Sequence, residues 1–303
     1  MRFSVWPSSQ RSWDEVLALV VACDRTGWDG AYFADHFMPN DTAGKPVEGA
    51  MLECWAVLAA LAACTNHVRL GPLVSGNLYR HPAVVAKAAT TIDQISSGRF
   101  VLGLGAGWQV NEHVAYGIDL LDIKPRLDHF EEACAAISLL VNQTRANFSG
   151  AHYQLTDAPC DPKPVGGHMP ILVGASGEKR SMRIAARYAD EWNAWCTPDL
   201  FRHKTQVLDR HCETIGRDPK SISRSTQAMV YLSSDESWLS RHRSEESGRP
   251  ILIGKPEEIV DQVAAYQAVG VDELIVPDWN MGSVERAGDT LDLFWTEVAS
   301  QFR

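Results

Sequence analysis

The sequence predicts a (β/α)8 barrel built from one domain over residues 1–303. Three observations point there. Short apolar runs alternate with amphipathic helical stretches along almost the whole chain, the pattern of a parallel sheet covered by helices. The ends of those runs carry Gly, Asp, His, Ser and Trp, residue types that build sites at the C-terminal mouth of such a barrel. A chain of 303 residues also suits one barrel of about 250 residues with insertions. Alternation alone equally suits a doubly wound open sheet. That fold, however, usually carries a nucleotide motif after its first strand, and Ser4–Gln10 is no such motif.

Arg2–Pro7 reads as the first strand. Ser12 and Glu15 form a capping box that opens a helix with Leu17, Val20 and Val21 on its apolar face, and Gly27 stops it. Gly30–Phe37 is the second strand, Met51–Thr65 an Ala- and Leu-rich helix, and Val68–Ser75 the third strand. Pro82 suits the first position of the next helix, whose buried stripe runs from Val84 to Ile95. Ser97 and Gly98 end it, and the fourth strand, RFVLGLGAGW (residues 99–108), follows. A weak helical stretch precedes a stronger helix near Pro125–Leu140. Residues 145–169 break the pattern with Gly, Pro and Asp and read as an insertion with room for a hairpin.

Alternation then resumes. Pro170–Ala175 is a strand, Glu178–Tyr188 a helix, Glu191–Cys196 a strand and Asp199–Ile215 a helix. Ile222–Leu232 reads as a strand with a polar exit through Ser247. Pro256–Val269 is a helix, Val271–Pro277 a strand, and Ser283–Phe302 a final helical stretch.

The formal charge of −10 argues against a general nucleic-acid or anionic-membrane surface. The longest apolar run, Cys54–Cys64, is far shorter than the ~20 residues of a spanning helix. MRFSVWPSSQ has no signal-peptide core, and seven scattered cysteines without a C-x-x-C pair read as reduced cytosolic thiols. A cytoplasmic protein acting on a small molecule is therefore expected, with neither nucleic acid nor membrane as partner. The histidines show no metal-ligand spacing, so no metal is expected.

Gly103, Gly105 and Gly107 invite a nucleotide-loop reading, but G-x-G-x-G is not G-x-G-x-x-G. From the residues alone the loop is either a tight turn or a place where backbone approaches a ligand closely. Asp35 and His36 close the second strand, where an acid and an imidazole are placed for proton transfer; the same pair also suits a hydrogen bond that only shapes the loop. Gly174-Ala175-Ser176-Gly177 joins the fifth strand to a helix, and its free N–H groups suit an anion, with Lys179 and Arg180 expected in the first turn. N-capping by Ser176 is the plainer alternative. Trp192 and Trp195 read as core more than as cavity lining.

GAYFADHF, LGPLVSGNLYRHP, GRFVLGLGAGW, PILVGASGEKRSMRIAARYADEW and the closing IGKPEEIVDQVAAYQAVGVDELIV together resemble the luciferase-like monooxygenase superfamily over nearly the whole length. The chain is most similar to its actinobacterial branch that depends on coenzyme F420, a 5-deazaflavin. The resemblance implies a barrel with an insertion after the fourth strand–helix pair, usually a homodimer. It implies an oxidoreductase that moves a hydride between the deazaflavin and an organic carbonyl, alcohol or imine. A monooxygenase using reduced FMN, or a non-catalytic flavin-binding relative, is the alternative. On this resemblance Gly105, Ala106, Gly107 and Trp108 lie near the ring and its phosphate, and Gly174, Ala175, Ser176 and Gly177 hold the phosphate. Val74 and Ser75 lie in a bulge behind the ring, with a non-prolyl cis peptide at Leu73-Val74 or Val74-Ser75. His36, with Asp35, is the expected catalytic group. The chain departs from the sugar-6-phosphate dehydrogenase branch at Asn40, where that branch has Trp, and at Trp108, where it has a catalytic Glu. Glu112 lies one helical turn further on and is not assigned that role, so sugar-phosphate oxidation is not expected. The loops 38–50, 145–169 and 233–250 carry no chemistry that names a substrate.

Overall fold

A computed structural model describes residues 1–41, 45–243 and 248–303. The N-terminal half runs β1 (Arg2–Trp6), α1 (Trp13–Thr26), β2 (Gly30–Phe33), α2 (Cys54–Cys64), β3 (Arg69–Pro72), β4 (Ser75–Gly76), α3 (Pro82–Ile95), β5 (Leu102–Gly105), α4 (Val110–Tyr116) and α5 (Ile123–Asn142). After the insertion, with β6 (Ala146–Ser149) and β7 (Gln154–Ala158), come β8 (Ile171–Gly174), α6 (Ser181–Tyr188), β9 (Glu191–Asn193) and α7 (Pro198–Thr214). The chain closes with β10 (Ser223–Gln227), β11 (Met229–Leu232), α8 (Glu236–Arg243), β12 (Ile251–Gly254), α9 (Pro256–Ala268), β13 (Glu273–Pro277) and α10 (Val284–Glu297).

Nine parallel strands lie in the order β3-β2-β1-β13-β10-β9-β8-β5-β4. β3 and β4 are two pieces of one stave, so the sheet has eight staves. The Leu70 amide donates to the Arg99 carbonyl at 3.0 Å and the Val101 amide to the Leu70 carbonyl at 2.8 Å, which joins its two edges. Strand periodicity places Trp6, Tyr32, Leu73, Val101, Leu172 and Ile275 inside the barrel, and the helices pack the larger apolar cluster outside it. At the N-terminal end the interior holds charge. Ser4 Oγ donates to Glu273 Oε1 at 2.5 Å, Arg2 pairs with Glu273 at 3.0 Å, and Arg69 bridges Glu191 and Glu273.

The expected barrel and its insertion, here with an antiparallel hairpin of β6 and β7, are present. β2 ends at Phe33 and β5 spans only Leu102–Gly105, both shorter than the expected runs, and other elements differ as well. The run Ile222–Leu232 splits: β10 stays in the barrel, whereas β11 leaves it and pairs with β12 in a separate parallel sheet. The polar exit expected after it contains α8, and residues 244–247 of that stretch lie outside the described residues. The helix expected from Glu178 starts only at Ser181, because Ser181 Oγ accepts from the Gly177 amide at 3.0 Å and residues 178–180 form a turn.

Candidate active site

A cavity of about 800 Å³ opens at the C-terminal ends of the staves. Its floor is the third stave, which bulges between β3 and β4 at the cis peptide Leu73-Val74, one of the two expected positions. Two glycines seat the bulge. A Cβ on Gly105 would collide with Val74 Cγ2, and one on Gly174 would meet it at 3.0 Å. Gly105 is thus needed for the neighbouring stave, and the Val74 side chain, not the glycine, meets the cavity. Gly107, at φ +88°, turns the chain back into the rim in the left-handed region that glycine tolerates.

Asp35 is buried and braces this floor. Its Oδ2 accepts from Ser75 Oγ at 3.0 Å, the Gly76 amide at 3.1 Å and Arg80 Nη1 at 2.7 Å. Its Oδ1 is buried without a hydrogen-bond partner among the described residues. The carboxylate is therefore bound to the third stave and to Arg80.

The partner of His36 is Glu112. His36 Nδ1 lies 2.7 Å from Glu112 Oε1, the Phe37 amide donates to Oε2 at 2.7 Å, and the Tyr79 hydroxyl also donates to Oε1. Burial pushes the Glu112 carboxyl up, but the hydrogen bond and charge of His36, the Phe37 amide and Tyr79 outweigh it and hold it below its ordinary 4.5. An ionised carboxylate only accepts, so the proton between the pair sits on His36 Nδ1. In the neutral ring Nε2 is then the basic nitrogen. Trp108 packs edge-on against the ring with centroids 5.4 Å apart. Burial together with the neighbouring Glu112 carboxylate pushes the Tyr79 hydroxyl far up, so it stays a donor.

Glu112 reaches His36 because α4 grips the loop after β2. Gln109 Nε2 donates to the Met38 carbonyl at 2.9 Å and Asn111 Nδ2 to the Pro39 carbonyl at 2.8 Å. Sequence reasoning passed over Glu112 and Tyr79. The available signal was the run Asn111-Glu112-His113 directly after the glycine loop.

On the opposite wall Trp6, Trp195 and Trp279 pack together, with Trp6 4.7 Å from Trp279 and 6.0 Å from Trp195. Arg249 lies over Trp195 and Trp279 at 5.0 and 4.8 Å. Trp195 lines the cavity, whereas Trp192 is core and donates from Nε1 to the Ala175 carbonyl at 2.8 Å. Trp6 Nε1, Ser9 Oγ and Gln227 Oε1 are buried in this wall without hydrogen-bond partners among the described residues.

Of the expected ligand-binding residues, Val74, Ser75, Gly107, Trp108, Gly174, Ala175 and Ser176 line the cavity together with Asp35 and His36. Gly105, Ala106 and Gly177 are not among the residues that line it. The cations differ from expectation, because α6 starts late. Arg180 turns away to Asp128 at 2.7 Å, and Lys179 is exposed. At the rim, Arg126 donates to the Gly107 carbonyl at 2.9 Å and Lys204 to the Ser176 carbonyl at 2.8 Å. Among the described residues no group of three or more His, Cys, Asp or Glu side chains is arranged to hold a metal, and no helix is long and apolar enough to cross a membrane.

Residues 1–246 match the model of the luciferase-like monooxygenase family. An F420-dependent hydroxymycolic acid dehydrogenase of Mycobacterium tuberculosis is 27% identical over 294 residues, spanning 91% of this chain and 76% of its own. An F420-dependent glucose-6-phosphate dehydrogenase of Microbacterium testaceum is 27% identical over 314 residues, spanning 92% and 91%. Among solved structures, an F420-dependent secondary alcohol dehydrogenase bound to an F420–acetone adduct superposes with a TM-score of 0.84 at 16% identity, covering 99% of this chain and 98% of its own. A monooxygenase from Streptomyces bottropensis superposes equally well, at 0.84 and 18% identity, with both chains covered fully. These likenesses establish the shared barrel.

Proposed function

The chain belongs to the luciferase-like monooxygenase family, and from that premise we propose that it is a coenzyme F420-dependent oxidoreductase acting on a small organic alcohol, carbonyl or imine. Relatives dependent on F420 support the cofactor, and the pairing of His36 with Glu112 at the cavity carries the reaction type. The site fits a flat ring system. Val74 offers an apolar floor, Asp35 Oδ1 is a buried acceptor awaiting an N–H, and the backbone at 107–108 and 174–176 with Arg126 and Lys204 nearby suits an anionic tail. When bound, the deazaflavin supplies the hydride acceptor or donor. The chain handles the proton. In alcohol oxidation the substrate carbon gives up a hydride, its hydroxyl proton passes to His36 Nε2, and the C–O bond becomes a carbonyl. With the ring neutral, Glu112 fixes the proton on Nδ1 and leaves Nε2 free to accept, and it stabilises the imidazolium that forms; carbonyl reduction reverses each transfer.

Fluorescence titration tests the cofactor. F420 is expected to bind at micromolar concentration or better, and FMN markedly more weakly. FMN binding as tight or tighter, with oxygen consumption after reduction, would overturn the assignment in favour of a monooxygenase. A homodimer and a reducing compartment complete the proposal; all seven cysteines are free thiols. Sedimentation and cell fractionation test them.

A further inference from the structure

Helix α4 is inverted. Its polar residues Asn111, Glu112 and His113 are buried, whereas Val110, Val114 and Tyr116 are 49%, 68% and 56% exposed. The buried face is explained by its grip on the loop after β2. The apolar outer face is not. Five of the eleven large apolar side chains exposed among the described residues fall within 108–123, so this side of the mouth is an apolar lip. A groove of about 370 Å³ runs beneath it, lined by His36, Phe37, Met51, Glu53, Tyr116 and Ile118. His36 and Met51 line the main cavity as well, so the groove leaves the cavity at the proton-handling ring. Glu53, the groove's carboxylate, is held by Arg80 Nη2 at 2.6 Å, a guanidinium it shares with Asp35, and by the Ala56 amide at 2.7 Å.

We propose that this groove is a substrate subsite for an extended alkyl arm, and that the protein prefers alcohols or ketones bearing such a chain over compact polar ones. The reacting end of this inference rests on the oxidoreductase reading above; the arm rests on the groove alone. A carbinol carbon placed at His36 has two ways out, inward to the tryptophan wall or outward past Met51. The outward way enters the groove, where Phe37, Met51, Tyr116 and Ile118 stand beside His36 and Glu53 under the apolar lip. An uncharged chain loses no hydration there that it wants, and each methylene buried adds affinity.

The test is a series of 2-alkanols from 2-propanol to 2-decanol. It is read twice: as kcat/KM with F420, and as calorimetric affinity for the cofactor-free protein. Both are expected to rise by about two- to fourfold per methylene over several carbons and then level off. Ile118→Ser and Tyr116→Ala should each flatten the rise, while Leu293→Ser, an exposed apolar site on α10, keeps it. Absent turnover with a rising, Ile118-dependent affinity series would support the subsite and defeat the redox reading. Turnover with flat series would overturn the subsite and leave the redox reading intact. Flat series with Ile118-dependent binding to phosphatidylglycerol vesicles, or with Ile118-dependent self-association, would also overturn it by assigning the lip to a membrane or to a second copy.

Discussion

Removing the His36 ring should leave F420 affinity within a few-fold but cut turnover by about 10²–10⁴, the scale of lost general acid–base catalysis. Stopped-flow measurement of deazaflavin reduction checks it. Glu112→Gln acts through the ring and should cost less. A stability signature accompanies it. Glu112 titrates below its ordinary 4.5, so its contribution to folding is fully present above that value and disappears as pH falls through the lower folded value. Denaturant melts of wild type and Glu112→Gln should therefore differ by about 1–3 kcal/mol at pH 7 and converge in acid. Of this cluster only His36 was legible in the sequence, as an imidazole at a strand end. Glu112 was not, because three consecutive polar residues on a seven-residue helix ordinarily mark a solvated face. Tyr79 was hidden in a short 3-10 turn that carries no periodic pattern.

Among the elements, the third stave is the most sensitive to its neighbours. Gly105→Ala should lower F420 affinity at least about tenfold while the barrel stays folded, since the added Cβ drives Val74 from its seat into the ring position. Equilibrium titration with circular dichroism as the folding control measures this; unchanged affinity would mean that Val74 does not face the ring. The stave itself was legible from its apolar run and the Ser75-Gly76 break. So were most helices, whose caps and stripes agree, as Ser12 and Glu15 do at α1. The split of Ile222–Leu232 was not, because composition points the wrong way: the polar Ser225, Thr226 and Gln227 of β10 stay buried in the barrel, whereas the apolar β11 leaves it. The late start of α6 escaped for a similar reason. Glu178, Lys179 and Arg180 are good helix formers, yet tertiary contacts of Arg180 and His211, which meets the Glu178 carbonyl at 2.7 Å, hold them in a turn.

Across the whole molecule the barrel separates its two kinds of buried charge. The mouth carries Asp35, His36 and Glu112; the base carries Arg2, Arg69, Glu191 and Glu273. Arg69→Met removes one of the two arginines that serve Glu191 and Glu273, Arg2 being the other, and should cost up to about 3 kcal/mol. Adding Glu191→Gln should restore part of that, and neither change should alter F420 affinity. Thermal melts and titration together check the separation. That the barrel has a charged base was not legible, since Arg69, Glu191 and Glu273 lie 204 residues apart at the extremes and converge only when the staves close. At the mouth, Glu112 fastens the loop after β2 through His36 and Phe37, the turn after β4 through Tyr79, and its own helix after β5. Those three connections consequently form one cassette for protein engineering. A chimaera that grafts any one of them from a homologue breaks a shared carboxylate contact, whereas one that transplants all three carries a matched mouth onto a new scaffold.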